Sequence, residues 1–382
     1  MNFNMKKYYI LFFTLFIANI IQSQNKNESV FNVVNEKINE IWKESNAPGL
    51  SFSMVLADGT TKTFTRGHAD VENEIKMEAN TKMLGGSTGK VFYSVVALQL
   101  IEEGKLSLDK PIFNSMKNYK WFSKIPNAKS LTVRSLMRHE TGIPRYVFSP
   151  KFQKDIHKDA NRHWEPKELL AYIFDAKPEF EVGTNFAYSD TNYIILCMLI
   201  ENVTKNSIYN EVQKRVLDKA DLKNVEPQTK RKYNNIAQGY NAKNDPFFPG
   251  LQFDKDGKSR YNLQFEWAGG GLVITTHDLA VLAKYIYEGK MFSPSLLDEY
   301  FKGVDAGRMG GKWGLAVHIQ ETPKGKTYGH SGFMPGYITN MIYDVTNKFS
   351  ICYQINTSDR ERLSIFRELP KLVQVIRDEL NK

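Results

Sequence analysis

Apolar residues recur at helical spacing near the start of the chain and at strand spacing soon after it. The pattern over Val30–Glu44 predicts an amphipathic helix. Two short β-type runs follow, Gly49–Ala57 and Thr61–His68, and they lie on either side of Asp58-Gly59. Because an Asp-Gly pair readily forms the tight turn between antiparallel strands, these runs predict a β-hairpin.

The middle of the chain has a mostly helical pattern. We interpret residues 231–257, which are rich in Asn, Asp, Gly and Pro, as loops. Thr275 stands three residues before Asp278, which approximates the capping box of a helix start. Helices are predicted over Val91–Glu103, Thr132–Arg138, Pro166–Phe174, Asn192–Val203, Tyr209–Lys219 and Asp278–Glu288.

The last third of the chain returns to β character. The patterns over Trp313–Gln320, Ile338–Asp344 and Phe349–Asn356 predict strands, and Leu363–Leu380 predicts a final helix. Strict alternation of strands and helices is absent, which argues against a doubly wound parallel sheet. We therefore expect an α/β (α+β) fold, with an antiparallel sheet built from both chain ends, flanked by helices, and a mostly helical inserted subdomain. A single domain over residues 25–382 would comprise an α/β region (25–84 and 300–382) and a mostly helical region (85–299).

The first residues have the pattern of a secretory leader. Lys6 and Lys7 precede an apolar run from Tyr8 to Ile21, and Ser23 lies near the junction with a polar stretch. This arrangement predicts a signal peptide over residues 1–24 and a secreted or periplasmic protein. The apolar run is shorter than the roughly 20 residues that span a bilayer, so we expect no stable membrane span.

The positive charge of the chain is dispersed. The formal net charge is +9, but the densest basic cluster, Lys230-Arg231-Lys232, has only three residues. No recognisable aromatic-basic module accompanies it, and we expect no nucleic-acid partner. The two cysteines, Cys197 and Cys352, lie within apolar runs, which predicts buried free thiols.

The sharpest chemical feature is the segment Gly85-Gly86-Ser87-Thr88-Gly89-Lys90 at the start of a predicted helix. Ser87 and Lys90 are three residues apart, so a helix places them on one face, where the amine can take the serine proton. Because only a neutral lysine accepts a proton, we expect burial and nearby positive charge to lower the pKa of Lys90. The segment also matches the Gly-x-Ser-x-Gly elbow of α/β-hydrolases, but that motif follows a buried strand in a parallel sheet, and neither is predicted here.

Two further segments carry candidate chemistry. Tyr188-Ser189-Asp190 precedes a predicted helix, and its tyrosine can act as a general base where cations stabilise the phenolate. Gly329-His330-Ser331-Gly332-Phe333 lies beside a β-rich segment, where small residues leave room for a substrate and a backbone N–H can contribute to an oxyanion hole. Each segment alone could equally be an ordinary turn.

Taken together and in this order, the motifs resemble those of the serine β-lactamase-like hydrolases, the family of class C β-lactamases, D-alanyl-D-alanine carboxypeptidases and related esterases. The resemblance covers most of the chain. It is carried by Ser87–Lys90, Leu98–Asp109, Leu131–Arg134, His139–Pro144, Gly183-Thr184, Tyr188–Tyr193, Gly269–Leu272 and Gly329–Gly336.

The resemblance implies an acyl-enzyme mechanism without a metal or an organic cofactor. Ser87 would be the nucleophile, Lys90 and Tyr188 would share the proton transfers, and the backbone N–H groups of Ser87 and Phe333 would bind the oxyanion. His330, Ser331, Gly332 and Asp190 would contact the substrate.

Two departures from the family pattern bear on the substrate. Asp190 replaces the usual asparagine, and an ionised aspartate cannot donate a hydrogen bond to a substrate carbonyl; Asn192, two residues later, could compensate. His330 replaces the lysine of efficient β-lactamases and resembles the carboxypeptidases, D-aminopeptidases and esterases. We therefore expect a secreted hydrolase of D-amino-acid peptides or small esters or amides, whose substrate could derive from peptidoglycan. The alternatives are a β-lactamase or a non-catalytic penicillin-binding-like protein.

Overall fold

The first and last strands of the described residues pair with each other near the middle of the main sheet. A computed structural model describes residues 25–245, 248–362 and 364–382. Among these residues, nine strands form one sheet in the order β3-β2-β1-β12-β11-β10-β9-β8-β7, and three form a small second sheet in the order β4-β6-β5. Every pair of neighbouring strands is antiparallel. The predicted fold class is confirmed, and the parallel sheet that the α/β-hydrolase elbow requires is absent from this part of the chain.

The strands have the following bounds: β1 (Gly49–Val55), β2 (Thr61–Asp70), β3 (Ile75–Lys76), β4 (Met83–Leu84), β5 (Val225–Pro227), β6 (Leu272–Ile274), β7 (Val304–Asp305), β8 (Lys312–Trp313), β9 (His318–Thr322), β10 (Gly325–Met334), β11 (Tyr337–Asp344) and β12 (Ser350–Ile355).

Residues 25–43 form helix α1. The other α-helices are α2 (Lys90–Glu102), α3 (Val133–Met137), α4 (Pro150–Asp155), α5 (Pro166–Leu170), α6 (Thr191–Thr204), α7 (Ile208–Val212), α8 (Asp218–Ala220), α9 (Thr276–Tyr287), α10 (Leu297–Phe301), α11 (Ser364–Glu368) and α12 (Leu372–Leu380). A π-helical turn, Gln213–Leu217, joins α7 to α8. Turns of 3-10 helix lie at Gly86–Gly89, Lys120–Lys124, Tyr146–Phe148, Ala171–Ile173, Leu263–Gly269, Pro294–Leu296, Gly307–Met309, Arg360–Arg362 and Leu369–Lys371.

The sequence of β1 explains why both faces of the sheet are covered. Side chains alternate across a strand, so Leu50, Phe52 and Met54 share one face, where they pack in a core with α1 and α12. Ser51 faces the other way, and its hydroxyl lies 2.8 Å from that of Thr276 at the start of α9. The sheet therefore lies between α9 on one side and the two terminal helices on the other.

Three local predictions need correction. The single strand predicted over Trp313–Gln320 is two strands, because Gly314 N donates to Val317 O and Ala316 has a φ of 66°, which together form a turn. The segment around His330 lies inside β10 rather than beside a strand. The predicted final helix is interrupted between α11 and α12 by a 3-10 turn that contains Pro370, which has no N–H for a helical hydrogen bond.

Other features of the sequence agree with the structure. Cys197 and Cys352 are buried and unpaired, as predicted. Thr275 caps α9 by accepting a hydrogen bond from Asp278 N. No helix in the described part of the chain is long and apolar enough to cross a membrane. The signal peptide predicted over residues 1–24 lies outside the described residues.

Candidate active site

Ser87 lies in a tight turn at the amino end of α2. We call Gly86–Gly89 the serine turn; it is 3-10 helical and leads directly into Lys90. Gly86 has a φ of 54°, a conformation that costs glycine little and other residues more. The other three residues of the turn are buried, whereas Ser87 is partly exposed. The turn therefore presents the serine hydroxyl to solvent at a helix amino end, where negative charge is stabilised.

Glycines allow the serine turn to contact the end of β10. A Cβ added to Gly332 would lie 2.0 Å from the carbonyl oxygen of Gly85 and 3.3 Å from Ser87 N, and one added to Gly86 would lie 2.7 Å from Phe333 N. The described pairing of β9 with β10 ends at Gly329, so the β10 edge beyond it adjoins the turn. The backbone N–H groups of Ser87 and Phe333 thus lie at the same contact, as an oxyanion hole requires.

Lys90 is fully buried and reaches the serine hydroxyl. Its Nζ lies 2.9 Å from Ser87 Oγ and 2.8 Å from Asp190 Oδ1. It also donates to the carbonyl oxygen of Gly269, a residue in the turn before β6. The spacing of Ser87 and Lys90 places the two groups in hydrogen-bond contact, as the sequence predicted.

The protonation predicted for Lys90 is wrong for the free protein. Burial lowers the pKa of Lys90, but the attraction of Asp190, with smaller contributions from Tyr188 and Glu266, outweighs it, and the pKa is raised. Arg145 also pairs with Asp190, with Nη2 2.6 Å from Oδ2. Burial raises the pKa of Asp190, yet these two cations together hold it below its usual range. The site therefore contains an ionised aspartate between two cations.

Tyr188 lies beside Lys90 within a group of aromatic rings. Lys90 Nζ is 5.2 Å from the centre of its ring. The His139 ring packs against it, tilted by 36°, at a centroid distance of 4.1 Å, and the Trp313 ring lies at 5.5 Å. Burial raises the pKa of Tyr188, whereas the positive charge of Lys90 lowers it, and the balance stays above the usual value. Tyr188 thus lies beside the ammonium of Lys90, and its buried hydroxyl has no hydrogen-bond partner among the described residues.

His139 orients this region rather than contacting the serine. Its Nδ1 accepts from Ser189 N at 3.2 Å and lies 3.1 Å from Asn192 Nδ2. Asn192 Oδ1 in turn accepts from Thr141 Oγ1 at 2.7 Å, and Asn192 is completely buried. Asn192 therefore cannot replace the missing amide at Asp190, because both ends of its own amide are bonded in the core.

The β10 residues predicted to contact the substrate or the oxyanion occupy three kinds of position. His330 is buried, and its Nδ1 lies 2.7 Å from Ser331 O. Burial, together with the nearby charge of Lys90, lowers the pKa of His330 to about 3, so this histidine is neutral at physiological pH. Ser331 and Phe333 are exposed on the opposite face of the strand, and Gly332 is the contact point with the serine turn.

A pocket of about 320 Å³ opens beside Ser87. Arg145, Asp190 and Glu266 contribute its charged groups, and Phe333 lies at its edge. Its apolar wall comprises Val147, Phe148, Phe152, Ile156, Phe265 and Met334. No group of three or more His, Cys, Asp or Glu side chains in the described residues is arranged to hold a metal ion. The pocket is of a size that suits a small organic group.

A family model for β-lactamases matches residues 34–369, which is most of the sequence. The chain belongs to the β-lactamase family. The resemblance found in the motifs is thereby confirmed, and the match includes the second half of α1, the sheet and the serine turn.

Curated relatives and solved structures agree with this family. The teichoic acid D-alanine hydrolase of Staphylococcus aureus is 26% identical over 281 residues, which are 71% of this chain. The chain spans 63% of the length of that relative. The D-amino acid amidase of Ochrobactrum anthropi SV3 superposes with a TM-score of 0.76 at 19% identity, covering 93% of this chain and 99% of the amidase. The D-stereospecific amidohydrolase of a Streptomyces species gives a TM-score of 0.72 at 21% identity, covering 86% and 94%. These two structures share the fold.

Sequence reasoning missed two charged residues of this β-lactamase-family site. Arg145 follows the family-like stretch His139–Pro144, but its ion pair with Asp190 joins positions distant in sequence. Glu266 is the only charged residue in the run Leu263–Ala268, where it lies between Phe265 and Trp267. A single carboxylate in a buried aromatic segment is the signal that could have identified it, since acidic residues are rarely buried without a partner.

Proposed function

We propose that this chain is a serine hydrolase that forms an acyl-enzyme at Ser87 and cleaves ester or amide bonds of D-amino-acid derivatives. The observation that carries the proposal is the 2.9 Å contact between Lys90 Nζ and Ser87 Oγ beside an open pocket. Membership of the β-lactamase family supports the reaction class. The D-alanine and D-amino-acid substrates in the names of similar proteins support the substrate class.

In the proposed reaction, Ser87 Oγ attacks the substrate carbonyl while its proton passes to the Lys90–Tyr188 pair. When this pair has lost one proton, the carboxylate of Asp190 favours the ammonium form of Lys90, so the phenolate of Tyr188 is the proton acceptor. The N–H groups of Ser87 and Phe333 bind the oxyanion. The leaving group takes the proton from the pair, and a water activated by the same pair releases the acid.

The charge at Asp190 argues against efficient β-lactamase activity. Its two oxygens accept from Lys90 and Arg145, so neither can donate to the acyl-side carbonyl of a β-lactam. The neutral His330 adds no cation for the carboxylate that β-lactams carry. A non-catalytic role agrees less well with the site, because Ser87, Lys90 and Tyr188 are all present, with Lys90 Nζ 2.9 Å from Ser87 Oγ and 5.2 Å from the centre of the Tyr188 ring.

The location that fits this substrate class is outside the cytoplasm. The leader-like pattern over residues 1–24 supports export, and D-amino acids are constituents of cell-envelope polymers. The substrate would then be a small molecule or a peptide, or an ester released from or attached to such a polymer, peptidoglycan included.

A labelling experiment tests the proposal. The purified protein is treated with a fluorophosphonate probe, and its mass is measured by intact-protein mass spectrometry for the wild type and for Ser87→Ala. We expect one adduct on the wild type and none on the variant. A folded wild-type protein that stays unlabelled would exclude the hydrolase. Relative kcat/KM values for a D-alanyl-D-alanine peptide, a D-aminoacyl amide, a short aryl ester and a chromogenic cephalosporin would then rank the substrate classes.

A further inference from the structure

Glu266 places an unpaired carboxylate at the wall of the pocket beside Ser87. The residue is 8% exposed and lines the pocket. Within the described residues, no hydrogen bond or ion pair reaches its carboxylate. A buried carboxylate is normally paired, because its desolvation is costly when no partner compensates it. The Glu266 carboxylate is an exception, and it faces a cavity that a ligand can enter.

The two cations near Glu266 are already paired with another residue. Lys90 donates to Asp190 and to Ser87, and Arg145 uses both Nε and Nη2 on Asp190. They attract Glu266 only at a distance, and burial raises the pKa of Glu266 to about 7. A positively charged group that entered the pocket would therefore meet a carboxylate with no competing partner.

The backbone around Glu266 is held in a strained conformation that fixes this carboxylate. Trp267, the next residue, has φ 34° and ψ −111°, in the region that favours glycine. Its carbonyl oxygen accepts from Gly271 N at 2.8 Å and from Tyr93 Oη at 3.2 Å. A Cβ on Gly269 would lie 3.1 Å from Glu266 Oε1, so the glycine gives the carboxylate its space. Such strain is concentrated at functional sites in proteins.

We propose that Glu266 binds the free ammonium group of an aminoacyl substrate whose apolar side chain occupies the aromatic pocket. The inference rests on the proposed function and specifies its substrate class: esters or amides of amino acids with an unblocked amine. The apolar wall accounts for the side chain, and the position of Glu266 in the same pocket as Ser87 places the ammonium near the acyl carbon. An N-acylated substrate would lack the charge and leave the carboxylate unpaired.

A positively charged probe and a neutral probe of equal size test this inference. 2-Phenylethylamine and 2-phenylethanol fill the same volume, but only the amine carries a positive charge at pH 7. Each is titrated against the fluorophosphonate labelling of Ser87, and the concentration that halves the labelling rate is measured. A hydrogen bond between charged groups predicts protection at a concentration about 10-fold to 100-fold lower for the amine. Equal protection by the two probes, or protection by neither, would overturn the inference.

Variants test whether Glu266 causes the preference for the amine over the alcohol. In Glu266→Gln the advantage of the amine should fall to less than about threefold, and in Glu266→Asp part of it should return. Glu40→Gln on α1 removes the same charge from an exposed position and should keep the full preference. An undiminished preference in a folded Glu266→Gln protein would also overturn the assignment. The wild-type comparison decides the question even if a variant does not fold.

Substrate turnover separates this inference from the broader proposal. The wild type should hydrolyse D-phenylalanine methyl ester with a kcat/KM about 10-fold or more above that of its N-acetyl derivative. If Ser87 is labelled and both esters are hydrolysed equally, the hydrolase stands and the ammonium site is wrong. If Ser87 is never labelled, the hydrolase proposal fails, and the substrate inference fails with it.

Discussion

Lys90 and Asp190 form a buried ion pair, with Nζ 2.8 Å from Oδ1, and the same Nζ lies 2.9 Å from Oγ of Ser87, the proposed nucleophile. The aspartate stands at the position where the family resemblance implies an asparagine. It therefore adds a negative charge next to the lysine and raises the lysine pKa. The consequences for catalysis can be measured.

Replacing Asp190 with Asn should shift the pH dependence of the reaction. The negative charge of Asp190 stabilises protonated Lys90, so its removal lowers the lysine pKa, and the pair loses a proton at lower pH. We expect the acidic limb of kcat/KM for an aryl ester to move down by about one pH unit or more. Acylation by a chromogenic cephalosporin should rise, because the new amide can donate to the β-lactam. Asp175→Asn changes an exposed residue and should leave both the pH dependence of kcat/KM and the acylation by the cephalosporin unchanged. If the acidic limb of Asp190→Asn stayed where it is in the wild type, this explanation would be contradicted.

Both Lys90→Ala and Lys90→Arg should abolish efficient acylation. Alanine removes the buried cation that contacts Ser87 Oγ and favours the phenolate of Tyr188. Arginine keeps the charge, but its larger planar guanidinium cannot place a single nitrogen between Ser87 Oγ and Asp190 Oδ1 in the fully buried site of Lys90. The expected loss in kcat/KM is at least about 100-fold, in the range for a missing acid–base group. Ester hydrolysis and fluorophosphonate labelling measure it. Turnover at the wild-type rate in either variant would remove Lys90 from the mechanism.

Gly332→Ala tests the contact between β10 and the serine turn. Its Cβ would lie 2.0 Å from the carbonyl oxygen of Gly85, so the strand and the turn must separate and the N–H of Phe333 must move away from Ser87. Loss of one oxyanion donor predicts a decrease in kcat of about 100-fold to 1,000-fold. Lys326→Ala, at the far end of the same strand, provides the control. Wild-type kcat in a folded Gly332→Ala protein would refute the assigned oxyanion geometry.

Glu266→Gln should stabilise the free protein at alkaline pH. Burial raises the pKa of Glu266 from 4.5 to about 7, so above pH 7 the folded protein contains a buried, unpaired charge. Below pH 7 the Glu266 carboxylate is protonated in the folded protein, whereas in the unfolded chain it is protonated only near pH 4.5. The free-energy cost of burying its charge therefore decreases as the pH falls from 7 to 4.5. The variant should therefore gain up to about 3 kcal/mol in free energy of unfolding at pH 8 and little at pH 4.5.

Urea unfolding of the wild type and Glu266→Gln at pH 8, 6 and 4.5 measures this difference. Glu40→Gln corrects for the loss of one charge at an exposed position. A stability difference that is independent of pH would show that Glu266 is not held in an unfavourable ionised state. Higher stability of Glu266→Gln at pH 8, together with loss of amine binding, would show that Glu266 destabilises the fold but is needed to bind the ligand.

The sequence was sufficient for features that local spacing determines. Asp58-Gly59 marks the β1–β2 hairpin because the turn chemistry lies within two residues, and Ser87 meets Lys90 because a helical turn brings residues three apart together. The proposed catalytic residues Ser87, Lys90 and Tyr188 could be selected because each motif that contains them is continuous in sequence. The antiparallel sheet followed from the absence of alternating strands and helices.

Features that depend on distant residues could not be predicted in this way. The charge state of Lys90 is set by Asp190, which is 100 positions away, and the expected pKa shift therefore had the wrong sign. The pair of Arg145 with Asp190 and the exposure of Glu266 to the pocket arise only when loops from separate parts of the chain meet. The division of Trp313–Gln320 into β8 and β9 depends on a turn at Ala316, a residue that rarely adopts a positive φ.

The pairing of Leu50 in β1 with Ile355 in β12 has a consequence for biosynthesis. At ribosomal rates of about 5–20 residues per second, β1 waits roughly 15–60 s for its partner strand. During that interval the seven buried residues of β1 have only β2 as a neighbour in the sheet. The strand β10, which contacts the serine turn, is also made late. A nascent chain therefore contains Ser87 long before it contains the β10 edge that adjoins the serine turn, and the proposed oxyanion hole forms only after both segments have been made.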